Sequence, residues 1–252
     1  MKKSALHKDF FIEIKKTYNR FLSILLIVAL GVAFFAGLRV CRSDMELSAD
    51  TYYDDMNLMD FRVVSTLGLT EDDIEAISKV DGVEAVEAAH TKDVLLRLNN
   101  NEIVVKTYSL NENVNKSYLV DGRLPTSPNE CIVDTMFLEN TGYKIGDKIT
   151  MESGDETDLS DTFKELTLTI VGSCQDPRYL TFSRGNGSIG NGNINSFIIL
   201  PKNNFSSDIY EEAYVTFHGS KDFMTYSEDY DDFIKEQKIK IEEILYLMFL
   251  MN

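Results

Sequence analysis

FLSILLIVALGVAFFAGL, residues 21–38, decides the reading of this chain: 18 residues without a charge, twelve of them Leu, Ile, Val or Phe. As a helix the run is about 27 Å long, close to the ~30 Å hydrocarbon core of a bilayer. Each large apolar side chain favours insertion by roughly 0.3–0.6 kcal/mol, so the run is predicted to span a membrane. Arg20 and Arg39 bracket it and reach the two headgroup zones. A buried helix of a globular protein would show a polar face, and this run is apolar all round. A cleaved signal peptide needs small residues at −3 and −1, whereas Phe34-Phe35-Ala36 puts a Phe at −3.

Working outward, charge divides the chain. Residues 1–42 carry eight bases and two acids; residues 43–252 carry 17 bases and 39 acids, a net −22 within a total of −16. The acidic part excludes nucleic-acid binding, which needs clustered Lys and Arg against phosphate. The bases before the span place residues 1–20 in the cytoplasm and 43–252 outside, by the positive-inside bias. The opposite orientation would set the acidic body against an anionic leaflet. Phe10, Phe11, Ile14, Tyr18 and Phe21 share a face at spacings of three and four, with Lys8, Lys15, Lys16 and Asn19 away from it. That pattern predicts an amphipathic helix in the cytoplasmic interface, against the plainer reading of a charged tail. Within the span, Ala29, Ala33 and Gly37 recur every four residues, which permits close approach of another helix; small residues are also common in spanning helices generally.

Beyond the span, residues 39–58 keep helical composition. A strand is expected at Asp60–Thr66. Thr70-Glu-Asp-Asp73 reads as a capping box opening a helix that buries Ile74 and Ile77 and ends at Gly82. Val83–Leu98 and Glu102–Leu110 are β-rich around an Asn99–Asn101 turn. Further strands are expected at Glu130–Val133, Lys148–Glu152, Phe163–Ser173, Ser196–Leu200 and Ala213–Phe217. Asp134 caps a helix closed by Gly142, and Asp229–Leu250 is helical. The fold class is α+β: a single N-terminal transmembrane helix followed by a mixed α/β extracytoplasmic domain. The expected divisions are a cytoplasmic amphipathic segment (1–20), the transmembrane helix (21–38), a helical stalk (39–58), an α+β core (59–225) and a C-terminal helix (226–252).

Several motifs invite chemistry and lack its context. Gly185-Asn-Gly187-Ser-Ile-Gly190 fits G-x-G-x-x-G, but a strand rather than a helix follows, so no helix N-terminus is available for a pyrophosphate. A mobile contact loop is expected there instead. The chain has no G-x-x-x-x-G-K-[ST] and no H-E-x-x-H; His7, His90 and His218 are isolated. Glu228, Asp229, Asp231 and Asp232 lack the alternate spacing of a calcium loop and read as a solvated helix start. Cys131 and Cys174 are open to either reading, bonded or free. No catalytic residue, metal site or cofactor is expected, and the protein is read as no enzyme.

KDFFIEIKKTYNRFLSILLIVALGVAFFAGL (8–38), LMDFRVVSTLGLTEDDI (58–74), VDGRLPTSPNECIVD with GYKIGDKI (120–149) and SRGNGSIGNGNINSFIILP (183–201) together resemble FtsX-like/MacB-like ABC transporter permeases. The likeness is to the long forms of Gram-positive bacteria. Gly122, Arg123, Pro125, Glu130, Gly142, Gly146 and Asp147 form its G-R-x-P…E…G-x-x-x-G-D pattern. Physically the pattern reads as turn scaffold, with the Arg123–Glu130 pair given no chemistry. The resemblance implies a membrane permease component that transmits ATP-driven motion to its outer domain. Its implied partners are a separate ABC ATPase, with residues 8–20 as an elbow beside it, and other permease helices or a second permease copy within the bilayer. Permeases of this kind carry three further spanning helices. Here the sequence stops at Asn252 after the apolar tail Leu245–Met251, which raises the expectation of a truncated or split permease. The alternative function is a single-pass anchored extracellular binding module without transport. The residues choose no cargo.

Overall fold

The computed structural model describes residues 3–98, 101–155 and 157–251. It divides into two compact units, Met1–Ala49 and Asp50–Asn252. In the first, helix α1 (Lys3–Lys16) stops at Thr17, and α2 (Tyr18–Met56) follows. The Thr17 hydroxyl and N–H both bond back to the Glu13 carbonyl, at 2.8 and 3.0 Å, while Arg20 and Phe21 N–H restart the ladder on Thr17. Such back-bonding by a Thr slightly destabilises and bends a helix. The side chain of Ile14 lies outside the described residues. From Ser23 to Leu38 every side chain of α2 is exposed, including Leu26, Ile27, Leu30, Phe34 and Phe35. An unburied apolar helix of this length is suited to lipid rather than water.

The second unit holds two sheets. The smaller is antiparallel: β1 (Phe61–Leu69), β10 (Tyr210–Phe217) and β2 (Val83–Ala89), with β10 central. One face packs Val63, Ala213, Val215 and Phe217 against Ile74 and Ile77 of α3 (Glu71–Ser78) and Phe233, Ile234, Ile241 and Ile244 of α5 (Glu228–Met251). The capping box of α3 forms as expected: Thr70 Oγ1 accepts from Asp73 N–H, and Asp73 Oδ2 accepts from Thr70 N–H. Helix α5 packs on this sheet as far as Leu245.

The larger sheet is inserted between β2 and β10. It comprises β3 (Thr91–Leu98), β4 (Asn101–Ser109), β5 (Tyr118–Gly122), β6 (Glu130–Asp134), β7 (Lys148–Glu152), β8 (Thr167–Gln175) and β9 (Ser196–Leu200), in order β5-β8-β6-β9-β4-β3-β7. β8 also pairs with β7, so β8-β6-β9-β4-β3-β7 closes on itself as a six-stranded barrel, with β5 branching from β8. Period-2 alternation fills its interior: Val94, Leu96 and Leu98; Cys131 and Val133; Ile149 and Met151; Leu168 and Ile170; Ile198 and Leu200. Phe137 of α4 (Thr135–Thr141) joins this core. Ile132, Phe197 and Ile199, of the opposite parity, form a separate outer cluster with Tyr108 and with Cys174, which lies beyond the register shift in β8 and therefore faces outward.

Three readings are revised. β5 was not anticipated, because its residues merge into a Gly- and Pro-rich turn signal. β8 begins at Thr167, not Phe163, and runs on to Gln175. Val83–Leu98 is two strands in two sheets, joined by His90, which is buried with its ring 4.8 Å from Phe205 and 4.7 Å from Tyr210. Asn99 and Asn100 of the expected turn lie outside the described residues.

The cysteines resolve to free thiols. Cys131 pairs in register with Ile170, and Cys174 with Asp134; one faces the barrel interior and the other the outer cluster. Opposite faces and an offset of several residues prevent a disulfide, and burial pushes both thiols well above their ordinary pKa. A maleimide reagent is therefore expected to label Cys41 alone in the folded chain and all three cysteines in denaturant, with no change on adding reductant.

Candidate functional site

Residues 50–60 are the last turns of α2 and the chain that leaves it, and they are bonded into the second unit on two sides. On one side Lys116 N–H donates to the Met56 carbonyl and Asn115 N–H to the Asn57 carbonyl, each at 2.8 Å. Asn57 Nδ2 donates to the Asn113 carbonyl, and Met59 N–H to Asn115 Oδ1. Asn57 and Asn115 both sit at left-handed φ, 50° and 55°, a conformation Asn tolerates better than most residues. On the other side Thr225 N–H donates to Asp50 Oδ1 at 2.6 Å, the Tyr53 and Tyr226 hydroxyls meet at 2.7 Å, and Lys221 Nζ donates to the Asp54 carbonyl. Asp60 accepts from Phe217 N–H and from the Tyr230 hydroxyl. Burial raises its pKa despite these donors.

The loop that grips Met56 and Asn57 is itself held by a buried carboxylate. Glu87 on β2, 4% exposed, accepts from three successive N–H groups, Glu112, Asn113 and Val114, each at 2.8 Å, and from Lys202 Nζ at 3.0 Å. Burial alone would raise its pKa; the three N–H groups and Lys202 outweigh that and hold it below the ordinary glutamate value.

A second buried network crosses between the sheets. Arg178 is bidentate to Asp176 at 2.6 and 2.7 Å, lies 3.7 Å over the Tyr108 ring, and donates to the Tyr214 hydroxyl, which donates to Glu212. Tyr108 belongs to the barrel and Tyr214 to the small sheet. Nearby Arg184 is bidentate to Asp134, which also caps α4. Beside this pair is a cleft of about 350 Å³ whose walls include Tyr52, Met136, Tyr179, Phe182 and Phe197. Burial and then Asp176 push the Tyr52 hydroxyl up to about 12.

The motif residues gather elsewhere, around β8. Gly122 (φ 80°) lies against β8, and an added Cβ would stand 2.3 Å from the Val171 carbonyl oxygen. Arg123 N–H donates to that same carbonyl, and Gly146 N–H to the Ile170 carbonyl. Arg123 forms a two-pronged pair with Glu130, which also accepts from Thr126 N–H. Arg123 first, then this N–H, pulls the Glu130 pKa down to about 2. Pro125 is buried. Asp147 accepts from Lys144 N–H, and Gly142 (φ 77°) ends α4 in open space. The Arg123–Glu130 pair is joined by the Thr126 and Ser127 N–H groups, which both donate to Glu130. Ala29, Ala33 and Gly37 are exposed on α2, in the first unit. The glycine loop is pinned rather than loose: Asp93 Oδ2 accepts from both Ser188 N–H and its hydroxyl, and Gly190 packs on Val104.

Sequence reading missed Glu87, the Asn57–Asn115 joint and the Asp176–Arg178 pair. For Glu87 a Glu alternating inward on a strand was the one available signal; its partners lie 25 or more residues away.

Among the described residues no group of three or more His, Cys, Asp and Glu is placed to hold a metal ion. One N-terminal helix is long and apolar enough to cross a membrane, and the second unit is a two-sheet module, which together fit a membrane-anchored protein. The family model of the MacB-like periplasmic core domain matches residues 21–228, and the chain belongs to that family, whose domain is found in ABC-type transporter permeases. No curated protein matches it. Two solved structures are similar at a distance. The extracellular domain of the noncanonic ABC-type transporter YknZ from Gram-positive bacteria is 15% identical, covering 69% of this chain and 86% of that one, with a TM-score of 0.41. The periplasmic region of MacB from Actinobacillus actinomycetemcomitans is 10% identical, covering 72% and 75%, with a TM-score of 0.39.

Two outcomes are expected. Glu87→Gln should cost roughly 3 kcal/mol near neutral pH, since it leaves buried donors facing an amide. Because the folded pKa is depressed, that contribution is complete above about pH 4.5 and is lost as pH falls through the folded value. Urea titrations of both proteins between pH 3 and 7 should therefore converge at the acid end; parallel curves would contradict the assignment. Gly122→Ala should destabilise by about 2–3 kcal/mol through contact with the Val171 carbonyl, while Gly142→Asn, in open space, should stay within about 1 kcal/mol. Thermal unfolding compares the two.

Proposed function

We propose that the protein is a permease component of an ABC transporter that passes ATP-driven motion from the cytoplasmic side to its outer domain. The observation that carries this reading is the two-sided bonding of residues 50–60. A helix is stiff along its axis, and an end held by Asn115 and Lys116 on one side and Thr225 and Tyr226 on the other leaves little slack between its displacement and that of both sheets. Membership of the MacB-like periplasmic core domain family supports it.

In this reading residues 1–20 are cytoplasmic and 43–252 lie outside, as the charge asymmetry favours. Helix α1 meets a separate ATPase subunit. The face of Ala29, Ala33 and Gly37 packs against other permease helices or a second permease copy.

Purification of the tagged full-length chain from its native membranes tests the proposal. An ATPase is expected to co-purify, to be lost on deleting residues 1–16, and to make hydrogen exchange at the Asn115 and Lys116 amides depend on added ATP. Recovery of folded chain with no ATPase activity would instead favour an anchored binding module without transport.

A further inference from the structure

The C-terminal end of the apolar run carries a feature that the transmission reading does not use. A shallow groove of about 370 Å³ runs along α2 from Phe35 to Glu46, with Leu38, Arg39, Arg42 and Ser43 completing its walls. Phe35, Leu38, Arg39, Arg42 and Ser43 are all exposed. Arg39 and Arg42 are the only bases between residues 21 and 61, and six acids follow them by residue 60. Two guanidinium groups thus stand together at the point where a neutral segment turns acidic.

Their donors are largely open. Arg42 Nε donates to Glu46 Oε1 at 2.8 Å, which leaves its two terminal nitrogens without a partner. Arg39 and the Ser43 hydroxyl have none among the described residues. Glu46 balances one of the two arginines, so the groove carries a net +1. Like charges three residues apart on a helix repel, and an anion held between them removes the repulsion.

Depth and direction say what that anion is attached to. Along the axis Arg39, Arg42 and Ser43 stand about 1.5, 6 and 7.5 Å beyond Leu38. The polar layer on each side of the hydrocarbon core is roughly 5–7 Å deep, so these donors lie at the level of the lipid phosphates. Phe35 and Leu38 lie at the level of the acyl chains. At about 100° per residue, the groove points on average about 150° away from Ala29, Ala33 and Gly37. A helix packed on that small-residue face leaves the groove turned to lipid. We infer that the groove holds a phospholipid with one net negative charge. Its phosphate oxygens accept from Arg39, Arg42 and the Ser43 hydroxyl, and one acyl chain lies over Phe35 and Leu38. The site requires the spanning helix but neither its orientation nor an ATPase, so it and the transmission reading can fail separately.

Native mass spectrometry of the detergent-solubilised full chain tests it, with phosphatidylglycerol and phosphatidylcholine of identical acyl chains as probes. Phosphatidylglycerol is expected to bind about fivefold more tightly, the scale of one charge at a membrane surface. Arg39→Gln combined with Arg42→Gln should abolish the preference. Adding Val40→Arg to that pair restores a charge at the same depth, about 130° around the helix from the groove, and should not restore the preference. Glycerol phosphate, which lacks acyl chains, should not compete at equal concentration. Equal binding of the two lipids, a preference that survives the paired substitution or returns with Val40→Arg, or competition by glycerol phosphate would each overturn the proposal. Flotation of the chain with vesicles of either lipid reports the span separately.

Discussion

A buried carboxylate cannot stay charged in a protein interior without donors, and Glu87 is supplied with three consecutive backbone N–H groups and an ammonium. This constraint fixes the conformation of residues 112–114, and the rest of the module is arranged around it. The loop it sets is the one that receives the end of α2 through Asn115 and Lys116. It also leads to Ser117, whose hydroxyl donates to Asp176 at 3.3 Å. The small sheet, the barrel and the last turn of the long helix therefore share one short segment. Removing one partner of such a group leaves the others buried and unpaired, so failure there would be felt at every attached element.

The barrel supplies the second rigid part. β8 pairs with three strands, and the two motif turns bond to its backbone, Arg123 N–H to the Val171 carbonyl and Gly146 N–H to the Ile170 carbonyl. Gly122 and Gly172 make the approach: a Cβ on Gly172 would stand 2.7 Å from the carbonyl oxygens of both Asp121 and Arg123. What reads in sequence as a conspicuous string of Gly, Pro and paired charges is the closure of a barrel. The Arg178 and Arg184 pairs differ in kind. Both are buried with their carboxylates, and Arg178 touches aromatic rings of both sheets, so this joint depends on geometry rather than on burial of apolar area alone.

How much could be read in advance depended on the range of the interaction. The capping box at Thr70 and Asp73, the Asp134 cap and Gly142 stop of α4, and the strands Lys148–Glu152 and Ser196–Leu200 came through with little change, since each is set by residues within a few positions. β5 escaped because five exposed or half-exposed residues ending in a glycine carry no alternation. The run Val83–Leu98 looked like one β segment, and nothing local announces that the chain changes sheets at His90. The glycine loop looked mobile because its anchor, Asp93, stands 95 residues earlier.

From sequence alone came the membrane-compatible helix, the charge division and the α+β class. Each follows from composition or short periodicity, which act residue by residue whatever the rest of the chain does. Tertiary structure decided that the large sheet closes, that Cys131 and Cys174 face opposite ways, and that Glu87 holds the loop receiving α2. It also decided which arginine meets which aspartate: Arg184 finds Asp134 across 50 positions, while Arg178 takes Asp176 two residues away. These outcomes require distant segments to meet in one register, and a register is selected by the packing of all the strands together, not by any stretch taken singly.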